Sequence, residues 1–109
     1  MIKKISIPIF YGTLVLFQDY DIEKACKELS IKEDNINAFD AITGCDTDSE
    51  GHVGYGIIFR KCTAPIIAHE AVHVAHNIIE MHGMSNDGEL VAYLTGWVTL
   101  QCHKYLKVS

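Results

Sequence analysis

The stretch Thr63-Ala64-Pro65-Ile66-Ile67-Ala68-His69-Glu70-Ala71-Val72-His73-Val74-Ala75-His76-Asn77-Ile78-Ile79-Glu80-Met81-His82-Gly83 decides how this chain is read. Thr63-Ala64-Pro65 opens a long helix, because proline is tolerated in a first turn whose N–H groups have no helical partner. Gly83 stops it near His82, since glycine readily takes the left-handed conformation that closes a helix. Inside lies His69-Glu70-Ala71-Val72-His73, the pattern HExxH. Residues i and i+4 stand one above the other on a single helix face. Two imidazoles so placed can converge on one zinc ion. Glu70, beside them, can reach a water on that ion without being a ligand, which is why this spacing serves metal-assisted hydrolysis. The flanks Ile66-Ile67-Ala68 and Val74-Ala75 are uncharged and suit a buried helix. Two histidines and a glutamate with nothing to bind would carry a large desolvation cost there, and coordination removes it.

A catalytic zinc commonly has three protein ligands and one open position. His76 is the nearest further donor, but it lies about 10 Å along the axis from His69 at 1.5 Å per residue, over a turn too far. The metzincin arrangement needs Gly at position 76 and His at position 79; His76 and Ile79 exclude it. Glu89 is the better candidate. It follows the Gly83 break, near the start of a last helix capped by Ser85-Asn86-Asp87 and running through Trp97 to about Tyr105. Two antiparallel helices joined by a short loop would return its carboxylate toward the histidine pair.

With His69-Glu70-xx-His73, a break and Glu89-xx-Ala92-Tyr93 in place, residues 64–97 resemble the gluzincin metallopeptidases. The size resembles their minimal single-domain members, the minigluzincins, and small phage-type metallopeptidase-like proteins. The resemblance implies that His69 and His73 bind zinc, that Glu89 is the third ligand, and that Glu70 is the general base. It implies a peptide or protein substrate lying extended along the edge strand above the active helix. The strand His52–Lys61 is expected to be that edge, with Gly54 and Gly56 permitting close backbone approach. Many gluzincins carry Asp four residues after the ligand Glu; Tyr93 stands there and is the candidate partner for a zinc-bound His. Larger members draw an oxyanion donor from a separate lobe. Here Tyr55, Tyr93 and His103 are the available donors. The alternative is a non-catalytic binding or structural module in which zinc ties two helices together.

Working outward, Lys3 to Gln18 is rich in Ile, Val, Phe and Tyr, broken at Tyr11-Gly12, and reads as two strands with a turn or bulge near Gly12. Asp21 then caps a short amphipathic helix carrying Ile22, Ala25, Cys26 and Leu29 at i, i+3, i+4 and i+7, about three turns long and ending near Ser30. Asn37 to Cys45 and His52 to Lys61 read as a hairpin around Asp46-Thr47-Asp48-Ser49-Glu50-Gly51. Val53, Tyr55, Ile57 and Phe59 alternate onto one face. Asp46-x-Asp48-x-Glu50-Gly51 begins like a calcium loop, but Ile57 takes the twelfth place, where a bidentate Glu belongs, and a solvated hairpin tip is the better reading. The order ββαββαα gives an α+β fold: one domain over residues 1–109, a small twisted sheet packed on the HExxH helix and a following helix with the third ligand, a minimal zincin-like arrangement.

The bulk properties agree. A chain of 109 residues fits one domain. A net charge of −5 disfavours nucleic acid and anionic membrane surfaces as partners. No apolar run reaches the roughly 20 residues of a membrane helix. Pro8 interrupts the apolar segment after Lys3-Lys4, and no cleavage site follows, so a cytoplasmic protein is expected. Cys26, Cys45, Cys62 and Cys102 form no CxxC pair and are expected to be buried thiols.

Overall fold

The computed structural model describes residues 1–32, 38–85 and 87–109. Strand β1 (Ile2–Ser6) turns back through residues 7–12 into β2 (Thr13–Gln18), antiparallel, with Ile5 opposite Leu14. The turn closes where Ile7 N–H donates to Gly12 O, and Gly12 has φ +138°. Helix α1 (Ile22–Glu28) follows. Its N-cap is Asp21, whose carboxylate accepts the Lys24 N–H. It is one turn shorter than its apolar spacing predicts. Ser30 adopts φ +54°, its N–H returns to Lys27 O, and Ile31 N–H returns to Cys26 O. That paired closure occupies the Cys26 and Lys27 carbonyls and ends the helix early.

Strands β3 (Ala41–Thr47) and β4 (Val53–Phe59) form the expected hairpin. The start predicted at Asn37 lies outside the described residues. The Asp48 carboxylate accepts the N–H groups of Glu50 and His52 and meets the His52 ring, so the acidic tip is tied up by its own turn. Helix α2 (Ala64–Met81) starts at Thr63, with Pro65 in its first turn, and closes at His82 and Gly83, the latter at φ +64°. Helix α3 (Gly88–Tyr105) starts at Asp87, which accepts the Glu89 N–H. Asn86 of the expected cap lies outside the described residues.

The order ββαββαα therefore stands, as a small α+β unit with a four-stranded mixed sheet and three helices. The strand order is β1-β2-β4-β3, with β2 and β4 parallel and the other pairs antiparallel. Strand alternation sorts the core into two layers. Leu14, Leu16, Tyr55, Ile57 and Phe59 face α2 and α3, where they meet Ile67, Ala71, Val74, Ile78, Leu94 and Val98. Val15, Phe17 and Ile58 face the other way and meet Ala25, Cys26 and Leu29 of α1. With both faces covered, β2 reads as the continuous apolar run Leu14-Val15-Leu16-Phe17 rather than as an alternation.

This topology corrects one expectation. The strand His52–Lys61 is not an edge: β4 is hydrogen-bonded to β2 on one side and β3 on the other. The chain leaves β2, crosses through α1, lays down β3 outermost and returns β4 into the gap beside β2. Gly56 accordingly admits a side chain of this protein. A Cβ there would overlap Leu29, and one at its cross-strand neighbour Gly44 would overlap Ile31. The outer strand on the side of the HExxH helix is β3.

No described helix is long and apolar enough to cross a membrane. None of the four cysteines forms a disulfide; Cys26, Cys62 and Cys102 are buried and Cys45 is half-buried.

Candidate metal centre

Helix α2 buries Ile67, Ala71, Val74, Ala75 and Ile78 against the sheet. That fixes its rotation, and the fixed rotation presents His69 and His73 at one border of the buried stripe. Both rings are exposed. Their Nε2 atoms stand 3.2 Å apart, with the ring planes at 72°. Two imidazole nitrogens on one tetrahedral ion with bonds of 2.0–2.1 Å stand roughly 3.3 Å apart, so the spacing of the pair matches that of two ligands on one metal. One ligand atom from each of His69, Glu70 and His73 lies within 4.8 Å of the others.

Glu70 is 5% exposed, an unusual position for a carboxylate. One oxygen, Oε1, accepts a hydrogen bond from Thr43 Oγ1 at 3.0 Å. The other, Oε2, faces His69 Nε2 at 3.8 Å. The edge strand β3 thus supplies the partner that lets the carboxylate stay buried, and one oxygen remains directed at the imidazoles. A cleft of about 280 Å³ opens over the group, walled by Phe39, Ala41, Ile42 and Thr43 on the strand side and by Asn77 further along the helix.

Glu89 is not part of this cluster. It is exposed in the first turn of α3, and its backbone N–H is held by Asp87. Tyr93 is 48% exposed on α3 and does not wall the cleft. Tyr55 is fully buried, facing α2 from the middle of the sheet; its hydroxyl has no partner among the described residues. Burial, with Cys45 as the lesser cause, pushes that hydroxyl up to about 12. His76 and His103 are exposed and stand apart from the cluster.

Two contributors escaped the sequence reading. Asn77 continues the stride of four from His69 and His73, so the helical period alone would have found it. Thr43 shows no local signal, because its contact with Glu70 depends on where an edge strand lands on a helix 27 positions away. Compared with family models, with curated proteins and with solved structures, the chain matches none.

Proposed function

We propose that this chain is a zinc-dependent metallopeptidase of the gluzincin kind, with a zincin-like fold. The observation that carries the reading is the 3.2 Å spacing of the His69 and His73 Nε2 atoms beside a buried Glu70 whose Oε2 is turned toward His69. His69 and His73 would hold the metal, and Glu89, which lies outside the metal-free cluster on the helix packed against α2, would have to turn its carboxylate inward to supply the third ligand. Zinc, when bound, supplies a Lewis acid that polarises a peptide carbonyl and makes water nucleophilic at neutral pH. The protein's part is proton handling and placement. Glu70 Oε2 takes the proton of the attacking water and later gives it to the leaving amine. The outer edge of β3 pairs with an extended peptide, and Phe39 and Ile42 offer apolar walls to its side chains.

The test is zinc content on protein purified without chelating resin, followed by a peptide-library digest with wild type and Glu70→Gln. About one zinc per chain, and cleavage lost in Glu70→Gln, support the reading.

A second reading draws on the separation of Tyr55, Tyr93 and His103 from the cleft, which leaves none of the three expected oxyanion donors at the site. In that reading the metal is structural, stabilising the folded state alone by mass action. Normal zinc content, destabilisation by chelator and no cleavage of any peptide would select it.

A further inference from the structure

We infer that Thr43 decides whether Glu70 serves as a base or becomes a metal ligand. The inference rests on the metal-binding part of the function proposed above. Glu70 is close enough to be recruited, since its carboxylate, His69 and His73 each place a ligand atom within 4.8 Å of the others. Burial at 5% exposure means this carboxylate must have a partner. Thr43 provides one at Oε1, 3.0 Å away, and leaves Oε2 turned toward His69 at 3.8 Å. A hydroxyl donated to one oxygen fixes the plane of the carboxylate and engages a lone pair that a cation would otherwise take. The anchor comes from β3 and the carboxylate from α2, so the fold itself sets the orientation.

The consequence runs opposite to the usual one. Losing a supporting hydrogen bond near a metal site ordinarily weakens metal affinity. Here the bond holds back Oε1 and leaves Glu70 only Oε2 to offer toward the histidines. Without the Thr43 hydroxyl, the metal-free protein keeps a buried carboxylate with an unsatisfied oxygen, and a bound cation relieves that by accepting the carboxylate as a ligand. Metal binding then tightens. Thr43 is a positioning residue, acting through Glu70.

The experiment is a cobalt(II) competition titration, with visible absorption spectra, on wild type, Thr43→Val, Thr43→Ser, Glu70→Gln and the double variant Thr43→Val/Glu70→Gln. Thr43→Val keeps the side-chain volume and removes the hydroxyl. Its Kd for cobalt(II) is expected to tighten by roughly tenfold, the scale of one buried hydrogen bond lost from the metal-free state. Its d–d bands should change with the added carboxylate. Thr43→Ser should behave as wild type, and the gain should vanish in the double variant, where Gln is a poor ligand. If Thr43→Val does not fold, Thr43→Ala removes the same hydroxyl and carries the test. Affinity equal to or weaker than wild type in the hydroxyl-less variant, or a gain that survives Glu70→Gln, overturns the assignment. A wild-type chain that binds no cobalt is a different result: it removes the metal reading, and this assignment with it.

Discussion

His69 and His73 place their Nε2 atoms 3.2 Å apart on the exposed side of α2, while one turn of the same helix buries Ala71 and Val74 completely. The placement of the two imidazoles and the packing of the core are therefore separable. His69→Ala and His73→Ala should each abolish stoichiometric zinc binding while leaving metal-free stability within about 0.5 kcal/mol of wild type, the usual range for surface changes. Elemental analysis and urea melts of the apoproteins check both halves.

Metal binding to the folded state alone stabilises it by RT ln(1 + [L]/Kd), about 2.7 kcal/mol at a hundredfold excess over Kd. For a domain of this size that raises Tm by roughly 10 °C or more. Wild type should show this rise with added zinc and lose it with chelator. Neither histidine variant should respond, and calorimetry with and without zinc decides.

Glu70→Gln should keep the zinc stoichiometry, because His69 and His73 are untouched, and should reduce peptide turnover by about 10²- to 10⁴-fold, the range of a lost acid–base group. The measurement is kcat on whichever library peptide wild type cleaves. Retained turnover would refute Glu70 as the base.

Gly56→Ala sets a Cβ against the Leu29 side chain in the layer between the sheet and α1. Overpacking of this kind costs about 1–3 kcal/mol. Leu29→Ala opens space at the same point, so the double variant should be more stable than the sum of the two single effects allows. Urea titrations of the four proteins give the coupling. Simple additivity would show that Leu29 is not what fills the glycine position.

Tyr55→Phe removes a buried hydroxyl that has no partner among the described residues, and should be neutral or stabilising by up to about 1 kcal/mol. The pH dependence has a definite sign. Burial pushes the folded Tyr55 hydroxyl up to about 12 from the ordinary phenol value of 10.0, so between those values the unfolded chain loses its proton first. Stability contributed by the neutral phenol is complete below pH 10 and lost as pH rises toward 12. Tyr55→Phe should flatten that part of the curve, which denaturant melts at pH 9, 10 and 11 will reveal.

The element order was legible because each signal was local. Asp21, Thr63, Asp87 and Gly83 mark helix ends through hydrogen bonds and φ angles that reach only a few residues along the chain. The alternation of Val53, Tyr55, Ile57 and Phe59 fixed one face of β4, and all four lie in or against the layer beneath α2. The spacing of His69 and His73 likewise fixed their proximity, because one helix carries both. These features depend on the 3.6-residue and 2-residue periods alone.

What the tertiary structure decided depends on partners far apart in the chain. That β3 and not β4 is the outer strand follows from the parallel pairing of β2 with β4, which nothing local specifies. The same pairing turned Gly44 and Gly56 into seats for Ile31 and Leu29 of this chain. It set Thr43 against Glu70, and it buried Tyr55 away from the cleft. Glu89, placed by its position after a helix break, remains outside the cluster because side-chain reach between two helices depends on their packing and not on sequence distance. The sequence alone determined which groups could do chemistry; long-range strand pairing decided which of them face one another.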